Sequence, residues 1–205
     1  TGVGFQPDWL WLKRRDNATN GHNIHYDSTR GGTNALRSST SGAEAQFGDM
    51  VITFASDGFS FTGTDGLNNS SSYSNVAWNW KANGGTTSSN TDGSLTSTVQ
   101  ANTTAGFSIV TWTESTANSQ TIGHGLGATP AMIISKLTDD SALDWYTFHQ
   151  TLTKSNRISF NSTSTRTSSG FWNGTLDNDV FHVGYGDSYD NKSAVAYCFA
   201  EVDGY

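Results

Sequence analysis

Phe5-Gln6-Pro7-Asp8-Trp9-Leu10-Trp11-Leu12-Lys13 aligns with Ala128-Thr129-Pro130-Ala131-Met132-Ile133-Ile134-Ser135-Lys136, proline on proline and lysine on lysine. The offset is 123 residues, since 130 minus 7 and 136 minus 13 agree. Trp9 to Lys13 follows a proline and contains no Gly or Pro, which reads as a β-strand. The match then runs down the chain. Ile24-His25-Tyr26 falls on Tyr146-Thr147-Phe148, Leu36 on Ile158 and Phe59-Ser60-Phe61 on Phe181-His182-Val183, each 122 residues apart. Val76-Ala77-Trp78-Asn79-Trp80 falls on Val195-Ala196-Tyr197-Cys198-Phe199 at 119. A near-constant offset with one short slip in a loop is the mark of two related supersecondary units.

Between these strands lie Met50 to Phe54, Ser94 to Gln100, Phe107 to Thr113, Trp145 to His149, Arg157 to Phe160 and Gly170 to Trp172, punctuated by Gly- and Asx-rich turns. Short strands with regularly spaced turn signals indicate a sandwich or barrel. No helical period persists. The expected fold is all-β, a β-sandwich of jelly-roll or lectin-like type built from two pseudo-equivalent repeats. Residues 1–82 form the first repeat, 83–104 a Ser/Thr/Gly-rich connection and 105–205 the second repeat, together one compact domain. The segment from Asn83 to Asn90 lacks large side chains and is the best candidate linker. Val76, Trp78 and Trp80 should share an inner face equivalent to that of Val195, Tyr197 and Phe199, and Lys13 and Lys136 should hold equivalent strand ends.

Composition narrows the function. The 205 residues carry a net charge of −7, which repels phosphate backbones and argues against nucleic-acid binding. The single cysteine, Cys198, excludes an intrachain disulfide and reads as a small buried hydrophobe. No apolar run is long enough to insert into a membrane as a helix. Ser, Thr and Asn are abundant, yet recurring aromatics speak against disorder and for a neutral, hydrogen-bonding surface on a folded core.

Catalytic and metal motifs are weak. His22 and His25 are three apart and so lie on opposite faces of a strand, and His124 sits in a Gly-dense turn, so no metal site is expected. Paired carboxylates about 5 to 9.5 Å apart, as glycosidases require, are not evident among Glu44, Glu114 and Glu201. No cofactor is implied. The Gly186-Asp187-Ser188-Tyr189-Asp190-Asn191 loop has oxygen ligands close together as in calcium loops, but an Asx-rich turn is its ordinary reading. Trp78, Trp80, Tyr197 and Phe199 read as core. Trp172, Tyr189, Asp187, Asp190 and Asn191 are instead the expected ligand-binding residues, an aromatic face with carboxylate and amide acceptors suited to a sugar ring.

Four segments carry a resemblance: Gly-Phe-Gln-Pro-Asp-Trp-Leu-Trp-Leu-Lys at 4–13, the stretch from Asp57-Gly58-Phe59 to Trp80-Lys81, residues 121–130, and residues 196–205. Together they resemble a repeat module of virion appendage or tail-fibre proteins of marine and cyanobacterial phages. The resemblance implies a non-enzymatic structural protein on the virion surface, with other virion proteins and a host-surface glycan as expected partners. It supplies no binding residues. Fibre domains usually trimerise, so a homotrimer is compatible with it, although no heptad specifies one. The module commonly leads with a further strand, so an upstream segment is expected. The alternatives are capsid decoration, another purely structural virion role, and an enzyme acting on polysaccharide.

Overall fold

The structure, a computed structural model, describes residues 2–16, 21–63, 72–116, 119–165, 167–185 and 189–204. The first repeat contributes β1 (Trp9–Arg14), β2 (Asn23–Asp27), β3 (Gly31–Arg37), β4 (Val51–Ala55), β5 (Gly58–Thr62) and β6 (Asn75–Trp80). They form a four-stranded sheet in the order β3-β2-β1-β6 and a separate β4-β5 hairpin. Next come β7 (Ser88–Asn90), β8 (Ser97–Asn102), β9 (Phe107–Thr113) and β10 (Gln120–Gly123). The second repeat supplies β11 (Pro130–Leu137), β12 (Tyr146–His149), β13 (Asn156–Ser159), β14 (Thr167–Ser168), β15 (Val180–Val183) and β16 (Ser193–Ala200). Here the sheet has eight strands, β14-β13-β12-β11-β16-β9-β8-β7, and β10 pairs with β15.

The repeat holds at the level of strand register. In β1–β6, Trp9 faces Trp80 and Lys13 faces Val76; in β11–β16, Met132 faces Phe199 and Lys136 faces Val195. Leu36 pairs with His25 as Ile158 pairs with Thr147. The architecture is all-β with face-to-face sheets, a β-sandwich in which the four-stranded sheet comes from the first repeat and the eight-stranded sheet from the second repeat with β7 and β8.

Period-two alternation explains the layering. β1 is apolar on both faces and is buried on both. Trp9 and Trp11 point toward the second repeat and join Phe107, Ile134, Val195 and Tyr197 in the core between the sheets. Leu10 and Leu12 point the other way, under the β4-β5 hairpin with Ile24, Met50 and Ile52. On the far side of the large sheet, Ile133, Leu137 and Cys198 pack beneath Ile122, Phe181 and Val183 of the β10-β15 pair. At Gly32 a side chain is impossible, because a Cβ there would sit 1.8 Å from the Ile52 carbonyl oxygen.

A buried polar clamp joins the two repeats. Tyr197 donates to Asp27 Oδ2 at 2.7 Å, and Arg30, itself bonded to Asp27 and Glu44, donates to the Tyr197 oxygen at 3.2 Å. Burial pushes the Tyr197 phenol well above its usual range, so it remains a donor.

Residues 83–104 are more than a connection. They contain β7 and β8, and β8 lies between β7 and β9 within the large sheet. The candidate linker is pinned at its start. The buried Asp8 carboxylate accepts the backbone N–H groups of Ala82, Gly84 and Gly85 at 2.7, 2.9 and 2.9 Å. Gln100 Oε1 takes Asn83 N–H at 3.2 Å. Small residues here serve close backbone approach to a carboxylate, which low side-chain bulk permits.

Candidate functional site

Strand β6 ends its sheet, and its inner-face residues Trp78 and Trp80 stand where the sandwich opens. Trp78 is 44% exposed, although its ring lies 5.3 Å from Trp11. Trp80 stacks near Trp9 at 4.3 Å and reaches toward Phe199 at 6.4 Å. Beside it runs a groove of 590 Å³ lined by Phe5, Trp80, Phe107 and Phe199, with Asn79 and Asn102 also along it. Lys81 is exposed at the groove, and among the described residues no carboxylate lines it. Asn79 Oδ1 is buried without a hydrogen-bond partner, its side chain taking the face of β6 opposite Trp80, where Ala77 packs with Leu10 and Leu12.

At the other end of the same sheet face lies a second, polar cleft of 330 Å³. Thr98, Thr111, Thr113 and Ser193 line it beside Arg30 and Glu44. β9 therefore runs from an aromatic groove at Phe107 to a hydroxyl-lined cleft at Thr113. Arg30 is already bonded to Asp27, Glu44, Asn34 and Tyr197, so its charge is spent within the fold.

The residues expected to hold a sugar are placed differently. Trp172 is 3% exposed, edge-on to Phe171 at 4.4 Å and 6.2 Å from Phe148. It is a core residue and offers no ring face to solvent, because the turn at 170–174 folds it under the β10-β15 side of the large sheet. Tyr189 is half-buried against the same core, 6.3 Å from Tyr185. Asp190 accepts from Asn191 Nδ2 at 2.8 Å, and Asn191 is exposed with a left-handed φ of 60°. Asp187 lies outside the described residues.

Among the described residues no three His, Cys, Asp or Glu side chains converge to hold a metal ion. His25 is buried and bonded to Ser38 at 2.6 Å, and burial holds its pKa down at about 3. Glu114, read from the sequence as lying on no buried strand face, is 4% exposed. Burial raises its pKa to about 7, against the hydrogen bond it accepts from Trp112 Nε1.

Over residues 1–205 the chain matches the family recorded as a domain of unknown function, DUF7483. It belongs to that family. Neither the curated proteins nor the solved structures contain a match. The DUF7483 assignment names no activity, ligand or partner, so the site rests on the geometry.

The groove residues escaped the sequence reading because Trp78, Trp80 and Phe199 occupy alternating apolar positions, the pattern of a core strand. Alternation reports which face a side chain takes, not whether another strand covers it. The one local hint was polar punctuation, since Asn75 and Asn79 flank Trp78 in a strand with no charge.

Proposed function

We propose that this chain is a non-enzymatic structural domain of a phage virion appendage, displayed on the virion surface, and that its working surface is the aromatic side around β6. The exposure of Trp78 beside the Phe5/Trp80/Phe199 groove carries this reading. An exposed tryptophan beside half-buried aromatics at the rim of a sandwich is the composition of a macromolecular contact. The sequence resemblance supports the virion setting. Among the described residues the groove's lining holds aromatics and amide-bearing side chains rather than the carboxylate pair of glycoside hydrolysis.

A second reading, contact with a host-surface glycan, is favoured by the presence of Asn102 beside Trp80 and Phe199 in the groove. An apolar sugar face can stack on the rings while its hydroxyls meet the Asn102 amide. Linked weak sites on a multivalent particle raise avidity by roughly 10²–10⁴-fold. A glycan array with the full chain and with Asn102→Ala separates the two. Binding that the substitution weakens supports the glycan, whereas a bare array together with loss of incorporation into particles for Trp78→Ser supports the structural role. Incorporation unaffected by Trp78→Ser, with no glycan bound, rejects both.

A further inference from the structure

The floor of the polar cleft is a two-row array of hydroxyls set by strand register. On β9, Thr111 and Thr113 continue the face that Phe107 and Ile109 present to the first repeat, and on β16 Ser193 continues the face of Val195 and Tyr197. Thr98 stands opposite Thr111, which makes one row, and Ser193 stands opposite Thr113, which makes the other. Thr138 extends the second row just past β11, its backbone N–H donating to the Ser193 carbonyl at 2.8 Å. Side chains facing one another on neighbouring strands lie about 5 Å apart, a spacing that lets one polyhydroxylated ring reach adjacent hydroxyls.

The fold does not use these hydroxyls. All five residues line the cleft, and among the described residues none of their hydroxyls has a hydrogen-bond partner. Thr113 and Ser193 are exposed at the mouth, whereas Thr138 is only 4% exposed. A buried polar group ordinarily finds a partner, so Thr138 marks the depth to which a ligand would reach. Threonine is also stiff at χ1, which sets the direction of each hydroxyl before anything binds. The facing wall comes from the first repeat. Glu44 gives Oε2 to Arg30 Nη1 at 2.8 Å, and Arg30 is held from its other side by Asp27. Two carboxylates against one guanidinium leave that wall acidic, which turns away sulfate, phosphate and acidic sugars. A sugar hydroxyl, by contrast, donates to a carboxylate in a charge-assisted bond and both donates to and accepts from threonine and serine.

We propose that this cleft is a binding site for a neutral saccharide, held between the hydroxyl rows of the large sheet and the Glu44 carboxylate of the first repeat. It lies at the Thr113 end of β9, whereas Phe5, Val202 and the aromatic groove lie at the Phe107 end. The inference therefore does not depend on the β6 surface. A volume of 330 Å³ is at the small end of ligand pockets, so the cleft takes a terminal sugar unit rather than a length of chain. Each hydrogen bond to the ligand replaces one to water and gains little. One site therefore binds weakly, and its selectivity rests on the orientation of the sugar hydroxyls.

The test follows the backbone amide resonances of the full chain during titration with glucose, galactose and mannose, and separately with sodium sulfate. At least one sugar should move the Thr98, Thr111, Thr113 and Ser193 amides saturably, and sulfate should leave them in place. Thr113→Val keeps the β-branched shape and removes one hydroxyl; Glu44→Gln keeps the shape and removes the charge. Each should weaken binding of that sugar about ten-fold, whereas Asn102→Ala, in the groove, should leave it unchanged. Thermal unfolding checks that the variants fold, and Thr113→Val decides alone if Glu44→Gln does not. A folded variant of either kind that binds at full affinity overturns the proposal, as does sulfate that reproduces the shifts. Cleft amides that none of the three sugars moves overturn it too. Sugar-induced shifts confined to Asn102, Phe107 and Phe199 overturn it while leaving the groove reading in place.

Discussion

Lys13 and Lys136 make the same hydrogen bonds in the two repeats. Lys13 Nζ donates to the carbonyl of the next residue, Arg14, at 2.7 Å and to that of Gly21 at 2.5 Å; Lys136 Nζ donates to Leu137 at 2.7 Å and to Asp140 at 2.6 Å. In each repeat an ammonium ties the end of the central strand to the loop after it. Such an amine cannot be replaced by a hydrophobe of similar length without leaving two carbonyls without their donor.

Lys136 is fully buried, and burial lowers its pKa to about 8. The unfolded chain keeps this proton up to about 10.4. Stability attributable to this group should therefore rise as pH increases from about 8 to about 10.4, because the unfolded state binds more protons there. Lys136→Met should cost about 1–3 kcal/mol at pH 7 and flatten that rise, as urea midpoints of the two proteins across pH 7 to 10 will show.

Glu114 and His25 should tilt the acid side in opposite directions. The Glu114 carboxyl is held protonated up to about pH 7 by burial, so the folded state binds its proton between the unfolded value of about 4.3 and 7, and stability falls as pH rises through that window. Glu114→Gln should remove this slope, at most about 1.4 kcal/mol per pH unit. His25, buried neutral with a pKa of about 3, works the other way: its contribution is lost as pH falls below about 6.5. Chemical denaturation from pH 3.5 to 8 of the wild type, Glu114→Gln and His25→Gln resolves the two contributions, and coincident profiles would refute both assignments.

Trp172 and Trp78 should respond to truncation in reverse of their sequence reading. Trp172→Ala empties a packed site and should destabilise by about 3–5 kcal/mol. Trp78→Ala, at an exposed edge, should cost under about 1 kcal/mol. Thermal unfolding of the two variants decides the matter, and equal losses would place Trp78 in a buried interface of the chain with itself.

Asp8→Ala should detach the β6–β7 turn. The Ala82 and Gly84 N–H groups would lose their acceptor while Gly85 keeps Gln100 Oε1, which we expect to cost on the order of 2–3 kcal/mol, and the amides of Ala82 and Gly84 should exchange much faster. Asp8→Asn, which keeps one acceptor oxygen, should fall between the two.

The sequence by itself determined the duplication and its register. Pro7 on Pro130 and Val76 on Val195 are aligned by period-two patterning, and that patterning also assigns each side chain to a face of its sheet, so Lys13 and Lys136 were placeable before any coordinates. It also determined the all-β class, because aromatic alternation broken by Gly and Asx turns leaves no helical alternative. Only the tertiary structure decided which of these faces are covered. Trp78 and Tyr197 carry equivalent patterns, but β9 lies beside one and nothing described lies beside the other, and coverage depends on strands far away in sequence. The same holds for Trp172, read as a strand residue offering its ring to a sugar but packed under the β10-β15 pair, and for Asp8, whose three N–H partners come from a turn more than seventy residues further along.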